Sequence, residues 1–187
     1  MKRLIRNAKV LYHGELMEKE VLFDENRILQ IDDHIEADAQ VIDAGGNAVL
    51  PGLVDVHVHF RQPGREGKET IYTGSLAAAH GGFTSVFAMP NVIPSPDDAD
   101  IMEEYLKLIE TESVIHTYPY GTITRSEAGK QLSDLKGMRK LGVRWFSDDG
   151  VGMNNQDLMK QALQFSKDND CIIACHTEDL AYRKPGA

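Results

Sequence analysis

The sequence predicts an α/β protein in which residues 51–187 supply about the first five units of a TIM-type (β/α)8 barrel, after a small β segment at residues 1–50. Three observations lead there. The texture of the chain changes at Pro51, from short alternating apolar pieces to apolar strands separated by helical stretches. Strand centres then recur near residues 55, 86, 116, 145 and 172, one per roughly 30 residues, which is the size of a βαβ unit. Polar residues of unusual type gather at or just past the C-terminal end of each strand.

The elements follow in order. Apolar pieces at residues 2–11, 20–23, 27–31, 40–43 and 48–50 are separated by turns such as His13-Gly14 and Gly45-Gly46. Strands so short and closely spaced predict an antiparallel sheet. Beyond Pro51 the strands are 53–58, 84–89, 114–118, 143–146 and 171–174, near-continuous in apolar and β-branched residues. Such strands, joined by helical crossovers, form a parallel sheet. The helix at 70–80 stops at Gly81-Gly82. The helix at 97–112 opens on acidic residues after Pro96 and aligns Ile101, Tyr105, Leu108 and Ile109 on one face. Residues 126–141 form a more polar helix interrupted by Gly129 and Gly137, and 154–168 carries Leu158, Met159, Ala162 and Phe165 at helical spacing.

Composition narrows the function classes. The 187 residues carry 20 Lys plus Arg against 29 Asp plus Glu, a net charge of −9. An acidic chain without a basic cluster is a poor partner for nucleic acid or an anionic membrane. No apolar run approaches the roughly 20 residues of a membrane span, and residues 1–7 lack the apolar stretch of a signal peptide. Cys171 and Cys175, spaced C-x3-C, match neither a disulfide framework nor a zinc ribbon and read as reduced thiols in a cytoplasmic protein.

Five successive strand ends carry Asp55, His57, His59 and Arg61; Asn91; Tyr118 and Tyr120; Asp148 and Asp149; and His176 and Glu178. A site assembled from many βα loops at one rim is the barrel's way of building function, whereas a doubly wound sheet concentrates its ligands at one switch point. His57-Val58-His59 is the sharpest local signal. Residues i and i+2 of a strand share a face, so both imidazoles can aim at one ion, and a neutral imidazole is a good zinc ligand. Asp148-Asp149 before Gly150 reads equally as an acidic turn. His176 in isolation reads as a structural histidine, as do His116 and His80, while His13 and His34 are solvated. Cys175 points away from His176 and packs as an apolar group. Arg65 and Lys68 read as a solvated loop.

The stretch Asp55-Val56-His57-Val58-His59-Phe60-Arg61-Gln62-Pro63-Gly64 resembles the metal-binding signature of dihydroorotases, bacterial type I branch, within the amidohydrolase superfamily. The resemblance continues through Lys68-Glu69-Thr70, Gly81-Gly82-Phe83-Thr84, Met89-Pro90-Asn91 and Phe146-Ser147-Asp148-Asp149-Gly150, and it covers essentially the whole chain. It implies a metal-dependent hydrolase barrel preceded by the N-terminal part of a small β-sandwich. It implies two zinc ions, with His57 and His59 on one, Asp149 bridging both and His176 on the second. Arg61 and Asn91 would hold the substrate carboxylate. The implied reaction is reversible hydrolysis of the cyclic amide of dihydroorotate to N-carbamoyl-aspartate, a small-molecule step of pyrimidine biosynthesis. A homodimer, or association with aspartate transcarbamoylase, is the implied assembly.

Rivals separate on residues. Hydantoinases and allantoinases use a carbamylated lysine as bridging ligand, and residues 142–149 contain no Lys. Non-catalytic dihydroorotase-like scaffolds lack the His pair, which is present here. Eight units of roughly 30 residues starting at residue 51 run to roughly residue 290. The chain is therefore expected to be the N-terminal part of an enzyme and inactive alone. No catalytic residue is assignable within it, because the resemblance places the proton-shuttling aspartate beyond residue 187. Residues 181–187 read as the loop after the fifth strand.

Overall fold

The computed structural model describes residues 1–179, 181 and 182, so all but the first two residues of the loop expected at 181–187 lie outside the described residues. The chain divides into two compact units, Met1–Gly52 and Leu53–Ala187.

In the first unit β1 (Arg3–Tyr12) and β2 (Glu15–Phe23) form an antiparallel hairpin. Its two-residue loop, His13-Gly14, has positive φ at both positions, 50° and 87°, which matches the right-handed twist of the flanking strands. β2 starts at Glu15, five residues earlier than the sequence suggests, because the hairpin tip is exposed on both faces and carries no clean alternation. β3 (Ile28–Asp32) pairs antiparallel with β2.

The sheet is nevertheless not purely antiparallel. β4 (Gln40–Asp43) and β5 (Ala48–Val49) both run parallel to β1 along its other edge. The crossover from β3 explains this: it passes over one face of the sheet, and its Ile35 is buried against Leu4 and Leu22. A bulge at Asn7 (φ 52°) places an extra residue in β1 and swaps the faces of the residues beyond it. Leu4 thus packs on the Leu22 side, while Ala8 and Val10 pack with Val21 on the other.

In the second unit the strands are β6 (Leu53–Val58), β7 (Phe83–Ala88), β8 (His116–Pro119), β9 (Trp145–Ser147) and β10 (Ile172–Ala174). β6, β7 and β8 are hydrogen-bonded in that order and β9 pairs with β10, all parallel. Gly121, just beyond β8, forms a parallel bridge with Phe146 of β9. The five strands therefore lie in sequence order. α1 (Ile71–His80), α2 (Ala99–Glu112), α3 (Leu135–Lys140) and α4 (Gln156–Asn169) connect them.

Each helix begins on a side chain that accepts from its first turn: Thr70, Asp98, Asp134 and Asn155, from the N–H of Thr73, Ile101, Gly137 and Leu158. The helix expected over 126–141 is broken. A 3-10 turn at Arg125–Glu127 has φ 51° at Ser126, Gly129 also has positive φ, and Thr124 bridges Leu132. Asp134 then starts α3 afresh.

The core lies between the helices and one face of the strands. Val86 and Ala88 of β7 and Phe146 of β9 pack with Met102, Ile109, Met138 and Ala162. The alternating positions Phe87, Tyr118 and Trp145 stack on the other face, with ring centroids 4.7–5.4 Å apart. Gly74 of α1 touches the first strand's exit: a Cβ there would stand 2.5 Å from Cδ1 of the buried Phe60. Alanine in a helix interior normally gains about 1 kcal/mol over glycine. Gly74→Ala is instead expected to destabilise by about 1–3 kcal/mol through overpacking, read from its urea midpoint.

Candidate metal centre

β6 delivers the histidine pair. His57 is the penultimate residue of the strand, His59 follows its end, and the N–H of His57 donates to Asp55 Oδ1 at 3.0 Å. The strand end is held from two neighbours: Met89 N–H donates to the Val58 carbonyl at 2.9 Å, and Tyr120 Oη donates to the Val56 carbonyl at 3.2 Å.

β9 delivers the carboxylate. The chain turns at Gly150 (φ 79°) just after Asp148 and Asp149, and the two acids face different ways. Asp148 is buried and accepts from the N–H of Ile123 (2.8 Å) and of Thr124 (3.0 Å) and from the Thr124 hydroxyl. Burial raises its carboxyl above the ordinary value, against these three hydrogen bonds, which lower it. It anchors the loop after β8. Asp149 faces the histidines.

His57 Nε2 and His59 Nε2 lie 3.3 Å apart. Each is 3.5 Å from Asp149, one from Oδ1 and the other from Oδ2. Among the described residues these three side chains form a group whose ligand atoms all fall within 4.8 Å of one another. The separations suit a cation. Two nitrogens at ~2.05 Å from a tetrahedral zinc stand ~3.3 Å apart. Burial pushes the His59 imidazole toward its neutral form and the Arg61 charge adds to this, with Asp149 opposing. A neutral imidazole is the ligating form.

The other expected residues stand nearby in different relations. Arg61 adopts φ 63°, and its charge reaches His59. Asn91 donates from Nδ2 to the Asp149 carbonyl at 2.8 Å, with Glu127 Oε1 a longer acceptor at 3.4 Å. His176 does not join the three-residue group: its Nε2 lies 3.3 Å from Glu178 Oε2. It does line, with His57, Asp149 and Glu178, one cavity of about 400 Å3. The backbone there is closely packed, since a Cβ on Gly152 would overlap the Glu178 carbonyl.

Glu127 was not legible as a site residue. It sits in a stretch that reads as helix, and its position beside Asn91 comes from positive φ at both Ser126 and Glu127. Burial, then the charges of Asp148 and Asp149, push its carboxyl up to about 7, with Arg65 opposing. A carboxyl raised by folding adds stability at low pH. That contribution is lost as pH climbs from about 4.5 through about 7. Glu127→Gln is therefore expected to flatten this part of the stability profile in metal-free protein and to raise the urea midpoint at pH 8 relative to wild type, with little change at pH 4.

Among the described residues no helix is long and apolar enough to cross a membrane. By structure the chain is similar to an L-hydantoinase (dihydropyrimidinase) from Arthrobacter aurescens, with a TM-score of 0.83 at 21% identity over 95% of this chain and 41% of that one. At this identity the likeness shows the fold alone, a mixed α/β architecture. By sequence it is 44% identical over 179 residues to a protein named dihydroorotase from Lactobacillus helveticus and 45% identical over 184 residues to another from Staphylococcus aureus. Each match covers 96% of this chain, which spans 42–43% of the length of these relatives. The dihydro-orotase-like family model (DHOase) matches residues 46–187. The chain belongs to the dihydro-orotase-like family.

Proposed function

We propose that the chain carries the metal-binding part of a dihydroorotase, which hydrolyses the cyclic amide of dihydroorotate reversibly to N-carbamoyl-aspartate. The convergence of His57, His59 and Asp149, whose ligand atoms all lie within 4.8 Å of one another, carries this reading. The 44–45% identity to proteins named dihydroorotase supports the substrate. The absence of lysine from residues 142–149 speaks against a carbamylated bridging ligand of the hydantoinase kind.

Zinc is the cation this donor set would hold, with His57, His59 and Asp149 as its ligands and His176, which lines the same cavity, available to a second ion. A metal held by these residues would supply Lewis-acid polarisation of the amide carbonyl and a lowered pKa for a bound water. The chain's own residues do the rest. Burial favours the neutral form of His59, the form that ligates a metal. Asp149 offers one oxygen toward each imidazole and offsets part of the positive charge. Arg61 pairs with the substrate carboxylate through its planar fork, and the Asn91 N–H turned toward Glu127 adds a second donor.

The fold completes this reading. β6–β10, parallel and in sequence order, are the first five strands of an eight-stranded barrel, and β1–β5 are part of a small β-sandwich. Val54 and Val56 of β6 are 55% and 60% exposed on an apolar face, as expected where a covering helix belongs. A cytoplasmic homodimer, alone or with aspartate transcarbamoylase, is the assembly.

The test is zinc content of the purified chain together with dihydroorotate and hydantoin hydrolysis by the intact gene product. Zinc uptake and dihydroorotate turnover support the proposal. Hydantoin turnover alone would move the substrate assignment to the hydantoinase side. Neither metal nor turnover would leave a scaffolding subunit.

A further inference from the structure

The two residues proposed to hold the substrate carboxylate stand on different loops. Arg61 follows β6 and Asn91 follows β7, so a shared grip on one small anion depends on how those loops are fixed to each other. Asn91 is anchored on the Asp149 carbonyl at 2.8 Å. Arg61 has φ 63°, a conformation that a non-glycine residue keeps only where its surroundings impose it.

Those surroundings lie on either side of Arg61. Phe60, before it, is buried. Gln62, after it, is tied to α1, its Oε1 accepting the Ile71 N–H at 2.8 Å. Two residues beyond Arg61, the Pro63 carbonyl accepts the N–H of Ile93 at 2.9 Å, and Ile93 is itself two residues beyond Asn91. Gly64 then turns at φ 88° against the same residue. A Cβ there would stand 2.6 Å from both the Cβ and the carbonyl oxygen of Ile93. The oxygen belongs to the backbone, so no side-chain rotamer relieves that contact and the loops would have to part. On the α2 side the loops border open space. Pro63 and Pro94, with Ile101, Tyr105 and Leu108 of α2, line a cavity of about 570 Å3. Packing on the helix thus leaves the loops room to shift, and the contact at Ile93 holds them together.

We infer that Gly64 and Ile93 form a clasp that fixes the spacing of Arg61 and Asn91, which makes Gly64 a positioning residue for recognition of the substrate carboxylate. The inference rests on the proposed dihydroorotate site. The clasp consists of one backbone hydrogen bond and one close approach that only glycine permits. Its precision matters because a bidentate guanidinium–carboxylate pair depends on geometry as well as charge. A misplacement of about 1 Å can cost about 100-fold.

The test is Gly64→Ala in the intact gene product, assayed on dihydroorotate and on dihydrouracil, the same ring without the carboxylate, as substrate or competitive inhibitor. KM for dihydroorotate is expected to rise about 10–100-fold. Because the carboxylate is gripped alike in ground and transition states, kcat should stay within about threefold. Dihydrouracil binding and zinc content should stay at wild-type values. Ile93→Pro deletes the donor N–H and adds nothing at Gly64. It should give the same split, and it decides the matter if Gly64→Ala fails to fold. Equal losses on both compounds would show a general disturbance of the site and overturn the inference, as would an unchanged KM in either folded variant. Wild type without dihydroorotate turnover would overturn the substrate reading and this inference with it. Wild-type turnover with unchanged variants would remove the clasp alone.

Discussion

Asp149→Ala is expected to abolish stoichiometric zinc binding while leaving the metal-free fold intact. The carboxylate supplies the oxygen donors that face the histidine pair, 3.5 Å from each Nε2. Losing an outer-shell partner typically costs 10–100-fold in metal affinity, so losing a ligand should cost more than about 100-fold. The fold should not follow, because the hydrogen bond that ties this position to Asn91 uses the Asp149 carbonyl, which alanine keeps. Removing the charge also relieves the neighbouring Glu127, whose carboxyl Asp149 helps push up. The urea midpoint of metal-free protein should change by no more than about 0.5 kcal/mol equivalent. Elemental analysis after dialysis checks the first part and denaturation the second. Full metal retention in the variant would reject Asp149 as a ligand.

The neighbouring acid should behave in the opposite way. Asp148→Ala leaves the N–H groups of Ile123 and Thr124 and the buried Thr124 hydroxyl without their shared acceptor. Each buried orphan costs about 1–3 kcal/mol. The carboxylate's own burial is unfavourable, as its raised pKa shows, and that penalty disappears with the side chain. The net expectation is a loss of about 3–4 kcal/mol, a large fraction of the 5–15 kcal/mol typical of a domain. Asp148→Asn, which keeps one oxygen for the two N–H groups, should lose only about 1–2 kcal/mol. Chemical denaturation measures both. A midpoint for Asp148→Ala within error of wild type would show that the loop after β8 does not depend on this anchor.

These two acids show where sequence reasoning stops. Asp148-Asp149 reads as a pair at a strand end, and successive residues of an extended chain point to opposite faces. That much is local. Which face meets the histidines depends on β9 lying beside the Gly121–Thr124 loop, with β6 two strands further on. The same holds for Asn91. Its amide is an obvious polar group after β7, but its commitment to the Asp149 carbonyl is a contact across 58 residues of sequence. Glu127 carried no pattern at all, since two consecutive positive φ values at Ser126 and Glu127 leave no trace in hydrophobic spacing. In the first unit the Asn7 bulge and the Ile35 crossover were equally hidden. Alternation alone assigns Leu4 and Ala8 to one face, and the extra residue puts them on two.

By itself the sequence determined the alternation of strand and helix, its period of roughly 30 residues, helix starts at residues 70, 97 and 154, on or one residue before the caps Thr70, Asp98 and Asn155, and the His57-Val58-His59 pair that faces one way along β6. These are local properties, set by side-chain periodicity and capping within a few residues. Tertiary structure alone decided that Asp148 is buried under the N–H groups of Ile123 and Thr124 while Asp149 stands 3.5 Å from both histidines, and that Asn91 reaches the Asp149 carbonyl with Glu127 beyond it. Those relations are hydrogen bonds and burial between distant strand ends, and only the packed sheet brings their atoms within reach.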